Sequence, residues 1–183
     1  MREQKNELNF KGQNFYIGID VHKRDWKVCI MSETLTHKVF SQSPVAEDLV
    51  RYLHRNFPGG NYYSAYEAGF SGFWAHRELV RMGVDNIVVN AADVPTTQKE
   101  RCFKTDRRDC RKIAAALHDH ELEAIYIPSL TYQHDRSLVR MRLTVQKDLN
   151  RQKNRIKSML NFTGINVPEH FVKTNSWSKS FII

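Results

Sequence analysis

Residues 15–21, Phe-Tyr-Ile-Gly-Ile-Asp-Val, alternate strictly, placing Phe15, Ile17, Ile19 and Val21 on one face and Tyr16, Gly18 and Asp20 on the other. Period two is the side-chain repeat of a β-strand, so this segment predicts a strand with one face against a core. His22 to Asp25 reads as a turn, and 26–31 and 37–41 follow as strands of an antiparallel meander. Ser43-Pro44 supplies an N-cap and a first-turn proline. Ala46, Leu49, Val50, Leu53 and Phe57 then form one helical stripe that stops at Pro58-Gly59-Gly60. Residues 62–66 predict a strand running into Glu67. Ser71 can cap a second helix with Phe73, Trp74, Val80 and Met82 as its apolar positions and Gly83 at its end. Residues 86–90 predict a buried strand, Thr105 opens a third helix, and 124–128 close the compact unit. A meander followed by strand–helix alternation implies an α/β fold, a mixed sheet with helices on its faces.

From about Leu130 the pattern changes. Leu138, Met141, Val145, Leu149, Gln152, Ile156 and Met159 step by three or four with no breaker before Gly164, which predicts one long helix with a narrow coiled-coil seam. A surface helix packed on the same domain gives a similar pattern. The expected organisation is a tail over 1–13, a compact domain over 14–129, a long basic helix over 130–165 and, over 166–183, the start of a linker or of a further domain cut short.

Charge narrows the function classes. The 183 residues carry 28 Lys and Arg against 20 Asp and Glu, a net +8, which favours a polyanionic partner. The excess is concentrated: seven basic residues against three acids from Lys99 to Lys112, and eight against one from Arg136 to Lys157. No apolar run approaches the roughly 20 residues that span a bilayer, and no signal core follows the charged start, so a cytoplasmic protein is expected. Cys29, Cys102 and Cys110 are odd in number and lack paired ligand spacing, which argues against a disulfide framework or zinc ribbon. A Walker-type phosphate loop and a Gly-x-Gly-x-x-Gly motif are missing too, and serine or cysteine hydrolase chemistry has no anchor.

The acids carry the chemistry. Asp20 ends the first strand, Glu67 follows a later one, and strand ends are where open sheets with helical crossovers bind ligands. Asp106 and Asp109 lie three apart on one side of their helix, and that side continues through Ile113, Ala116, Leu117 and His120 toward the core. Carboxylates turned inward repel one another and lose hydration unless a cation joins them, and a hard divalent ion such as Mg²⁺ suits oxygen ligands. Singly, each acid has a simpler reading. Asp20 could belong to an actin-like nucleotide fold, Glu67 could cap a helix or pair with an arginine, Asp106 could favour a helix dipole, and Asp109 could pair with its arginine neighbours.

Gly18-Ile-Asp-Val-His-Lys23, Tyr66-Glu-Ala-Gly69 with Gly72, Val88-Val-Asn90 and Lys104-Thr-Asp-Arg-Arg-Asp109, in that order, resemble the Asp-Glu-Asp-Asp transposases of the insertion sequence 110 family, which include the Piv-type DNA invertases. The resemblance covers about residues 14–165. It implies a RuvC-like, ribonuclease H-like domain followed by a coiled coil, with Asp20, Glu67, Asp106 and Asp109 as catalytic metal ligands for Mg²⁺. Two ions, with Mn²⁺ able to substitute, are implied for phosphodiester transesterification on DNA. It also implies a structured guide RNA in some members, and a C-terminal domain bearing a catalytic serine. Cys110 stands where a small alanine commonly follows the last Asp, and Asn90-Ala91 where Asn-Pro is common; both read as packing variation.

Further candidates are basic. Lys23, beside His22, could meet phosphate. Lys104, Arg107, Arg108 and Arg111 could neutralise phosphates near the acids, and Arg140, Lys147, Arg151 and Arg155 could track a nucleic-acid backbone while the long helix builds a dimer or tetramer. His118 and His120 read as partners of their helix dipole. The alternatives to a DNA recombinase are an RNA- or DNA-binding assembly module without competence of its own, and a RuvC-like endonuclease or resolvase.

Overall fold

The computed structural model describes residues 9–94 and 106–166, with only the helical backbone for 106–108. The chain forms two compact units, one running to Ile127 and the second from Pro128.

The first unit is built on a five-stranded sheet of β1 (Asn14–Val21), β2 (Trp26–Ser32), β3 (Thr36–Gln42), β4 (Asn61–Glu67) and β5 (Asp85–Val89), in the order β3-β2-β1-β4-β5. β1, β2 and β3 pair antiparallel, whereas β4 and β5 run parallel to β1. Helices α1 (Ala46–Asn56), α2 (Trp74–Arg81) and α3 (Asp106–His118) flank it. This mixed sheet with flanking helices is the α/β arrangement that the alternation from β1 onward implies, and it agrees with the ribonuclease H-like fold that the resemblance implies.

One face of the sheet makes the main core. Phe15, Ile17 and Ile19 of β1, Trp26, Val28 and Ile30 of β2, and Tyr66 of β4 are buried together with Leu49, Leu53 and Leu79 of α1 and α2. Along α1 the buried positions are Ala46, Leu49, Val50 and Leu53, the stripe that a period of 3.6 demands. Ile125 and Ile127 add to this core, and the Ile125 N–H donates to the Val88 carbonyl, while Pro128 falls in the second unit.

Two helix starts differ from the sequence expectation. Ser43 does not cap α1: Val45 does, without a side-chain bond, while the Ser43 hydroxyl lies 2.7 Å from an Asp48 carboxylate oxygen. α2 begins after Phe73 rather than at a Ser71 cap, and its buried residues are Ala75 and Leu79, leaving Trp74 and Val80 largely exposed. The helix thus starts two residues later than a Ser71 cap would place it, which shifts the apolar stripe to Ala75 and Leu79. Gly83, at φ +86°, ends α2 in the left-handed conformation that glycine reaches without strain.

The opposite face of the sheet carries α3. A Cβ built on Gly18 would sit 2.0 Å from the Cys110 carbonyl oxygen and 2.5 Å from the Ala114 nitrogen. Both are backbone atoms of the helix, so glycine is what lets α3 lie directly on β1. Cys110, Ile113 and Ala114 are fully or almost fully buried in this contact, while Asp109 at its edge is only half-buried. The inward stripe is therefore centred on 110, 113 and 114, and Asp109 flanks it rather than opening it. The Thr105 cap lies outside the described residues.

The second unit contains α4 (Leu130–Phe162), 33 residues capped by Ser129, whose hydroxyl accepts from the Tyr132 N–H. None of its residues is buried, and Leu138, Met141, Val145, Leu149, Ile156 and Met159 are exposed. No helix among the described residues is long and apolar enough to cross a membrane.

Gly18→Ala should destabilise the first unit by about 1–3 kcal/mol, because rigid backbone on the facing helix has to move. Urea unfolding followed by circular dichroism checks this, and an unchanged midpoint would remove the contact from the account.

Candidate functional site

The three polar-face residues of β1 meet different neighbours, and Asp20 is the one at the carboxyl end. β1 and β4 are parallel with Ile19 opposite Tyr66, so continuing the register sets Asp20 beside Glu67 on adjacent strands, about 5 Å apart at the backbone. Glu67 is the last residue of β4 and half-buried. α3 supplies Asp109 to the same face. Asp109 precedes Cys110, whose carbonyl is the atom nearest Gly18, two residues before Asp20. The negative charge of Asp20 also reaches Cys110. Burial first, and then Cys29 and Asp20, push its thiol up to about 12, while burial takes Cys29 to about 11, so both thiols stay protonated at neutral pH.

Asp20 is embedded in polar contacts. His22 Nε2 lies 2.9 Å from Asp20 Oδ2, and the Asp20 side chain is 19% exposed. Directly across the antiparallel pair stands Lys27, on the same face of the sheet. Its ammonium donates to Ser41 Oγ at 2.8 Å and to the Asp25 carboxylate. The composition of the turn did not reveal Lys27; its place between Trp26 and Val28 puts it on the opposite face of β2, and the antiparallel register sets it across from Asp20. It is the cation that the fold sets opposite Asp20.

The loop after Glu67 is held firmly. The Ala68 N–H donates to the Val89 carbonyl at 2.8 Å, and the Gly72 N–H to the Gly69 carbonyl at 3.2 Å. Beneath it, the Tyr66 hydroxyl donates to the Gly72 carbonyl at 3.0 Å and accepts from the His76 N–H at 3.3 Å. Burial pushes the Tyr66 phenol up to about 12, so it remains a donor. His76 Nδ1 meets Asn86 Oδ1 at 2.9 Å, and Asn86 Nδ2 donates to Ser64 Oγ at 2.7 Å. Since that amide oxygen can only accept, His76 carries its proton on Nδ1.

The structure thus brings Asp20, Glu67 and Asp109 to one end of the sheet. Asp106 is the first residue of α3, but its side chain lies outside the described residues, as do those of Arg107 and Arg108, and Lys104 altogether. Lys23 and Arg111 are exposed, Lys23 in the turn after β1. Arg140, Lys147, Arg151 and Arg155 are exposed on α4 in the second unit, with Arg151 paired to Asp148 at 3.0 Å. His118 belongs to the far end of α3, where Asp119, chiefly, and Glu33 raise its pKa. Among the described residues no three His, Cys, Asp or Glu side chains gather into a metal-holding group. The donors at this end are carboxylate oxygens, which match a hard divalent cation rather than a soft one.

Comparison with known proteins gives a family model described as a transposase, of the DEDD insertion sequence 110 type, matching residues 17–165. "Putative transposase y4rJ" of Sinorhizobium fredii is 25% identical over 167 residues, covering 82% of this chain and 42% of that protein. The "Transposase for insertion sequence element IS1533" of Leptospira borgpetersenii is 23% identical over 150 residues, covering 79% of this chain and 43% of its own length. "Putative transposase y4qE" of Sinorhizobium fredii is 31% identical over 98 residues, 54% of this chain and 25% of that protein. The chain therefore spans less than half the length of these relatives.

Tyr66→Phe should cost about 1–3 kcal/mol, since it strips the Gly72 carbonyl and the His76 N–H of their buried partner. Hydrogen exchange of the amides of 68–76 should rise with it; unchanged exchange there would show that the hydroxyl does not hold the loop.

Proposed function

Because the chain belongs to the DEDD transposase family of the insertion sequence 110 type, we propose that residues 14–129 are a catalytic domain for cutting and joining DNA strands during transposition. The observation that carries this reading is the placement of Asp20 and Glu67 at the ends of adjacent parallel strands, with the helix bearing Asp109 docked beside them. In this reading Asp20, Glu67, Asp106 and Asp109 hold divalent metal, Mg²⁺ by preference and two ions at most. When bound, such ions supply Lewis-acid charge for phosphodiester transesterification. Mn²⁺ would fit the same oxygen donors.

The protein's own groups do the rest. His22 holds the Asp20 carboxylate by its 2.9 Å contact. Lys27, across the strand pair, offsets part of the negative charge at that end. Lys23 and Arg111, with Lys104, Arg107 and Arg108, meet phosphates around the acids. This makes binding fall steeply with salt. Such a protein works in the bacterial cytoplasm, where its DNA is.

The long helix supports a second role for residues 130–165. A helix of 33 residues with an exposed apolar seam and no buried residue is suited to pairing with a like helix. Arg140, Lys147, Arg151 and Arg155 would then line a basic track for DNA or a structured guide RNA. On this reading the 183 residues bind nucleic acid and assemble, and strand transfer is a property of the longer protein.

Asp20→Asn and Asp109→Asn, each placed in the full-length transposing protein, should lower strand transfer by about 100-fold or more while leaving salt-dependent DNA binding in place. Transfer at the unsubstituted rate by both variants would overturn the four-acid reading.

A further inference from the structure

The segment joining Glu67 to α2 has an unusual surface. Phe70 is 70% exposed and Trp74, the first residue of α2, is 43% exposed. Apolar side chains exposed singly need no explanation. These two are different, because Phe70 sits on a loop that is pinned rather than free and Trp74 opens the helix that follows it. The Tyr66 hydroxyl holds Gly72, the Gly72 N–H closes on Gly69, and Ala68 is tied to β5. Phe70 is three residues from Glu67, within about 11 Å along the chain, so Phe70 lies near the acidic end of the sheet.

Neighbouring elements give this surface its charge. The Trp74 ring packs on the buried Trp26 ring at 5.7 Å and 36°, and Trp26 opens β2 directly after the turn bearing exposed Lys23 and Arg24. The Arg77 guanidinium lies 6.0 Å from the Phe73 ring on the same loop and helix. Exposed rings after a strand end that bears a carboxylate, with Lys23, Arg24 and Arg77 on neighbouring segments, match the chemistry of one ligand. That ligand is an unpaired nucleobase, which offers a π-face to the rings while its phosphates meet the cations. A paired base keeps both faces stacked within the duplex and cannot use such a platform.

We propose that Phe70 and Trp74 form a stacking platform for an unpaired base of the DNA strand being processed, and so position the adjoining phosphate toward Asp20 and Glu67. This rests on the catalytic reading above and adds to it the substrate's local form: a strand unpaired next to the point of reaction.

The test uses the 183-residue chain with EDTA present, so that binding is read apart from chemistry. Fluorescence anisotropy is measured with a labelled 20-nucleotide single strand, its duplex, and the single strand carrying abasic positions. Phe70→Ala should weaken single-strand binding about 5- to 150-fold and leave duplex binding within about twofold. Phe70→Tyr should retain the wild-type value, and the abasic strand should bind the wild type as weakly as the intact strand binds Phe70→Ala. Phe70 is exposed, so its loss is not expected to unfold the chain, and circular dichroism verifies that. Equal binding of the single strand by wild type and Phe70→Ala, or equal losses on single strand and duplex, would overturn the platform while leaving the catalytic reading intact. Loss of self-association in Phe70→Ala, with DNA binding unchanged, would assign the surface to a second copy of the chain instead. A wild-type chain that binds no nucleic acid would overturn both.

Discussion

The contact on which the acidic end depends is one of backbone against backbone. α3 lies on β1 so closely at Gly18 that the Cys110 carbonyl and the Ala114 nitrogen occupy the space a β-carbon would need. Glycine inside a strand normally weakens it, because it brings conformational entropy and no side chain to pack. Here the loss is offset by what the approach permits. Cys110 and Ala114 bury themselves with Cys29 of β2, and Ile113 joins Ala65 and Val89 on the far side of β1. With the helix seated at those positions its rotation is settled, and Asp109 comes to rest at the rim beside the end of β1.

The two faces of the sheet do different jobs. The face toward α1 and α2 is apolar from Phe15 to Tyr66 and sets where each strand ends. The face toward α3 collects Asp20, Lys27 and Glu67 where three neighbouring strands meet solvent. Two carboxylates on adjacent strands repel, and their partial burial sharpens that repulsion. His22 meets Asp20 directly, while Lys27, on the facing strand, holds Asp25 and Ser41 beside it.

The strands were the most legible part of this chain, for a physical reason. Strict alternation over 15–21 can be satisfied by one local geometry, and β2 to β5 declare themselves through similar patterns bounded by turn residues. The starts of α1 and α2 were misread because Ser43 and Ser71 are adequate caps locally, yet tertiary packing chose Val45 and Phe73 instead. Asp20, Glu67 and Asp109 could be picked out from their motifs and strand-end positions. Lys27 could not, because its relevance lies in cross-strand register, a property of the pair rather than of either strand. Nor did spacing show that Gly18 is the seat of α3. Glycine in an alternating strand has many explanations, and only the docked helix separates them.

The long helix has a consequence for the life of the protein in a cell. A helix of 33 residues with no buried side chain draws little stability from its own unit. If like helices pair, its order follows mass action, and the fraction of ordered, assembled protein rises with copy number. At low expression most chains would expose the apolar seam to proteases and chaperones. Pairing through that seam would then make the helix's order a function of concentration.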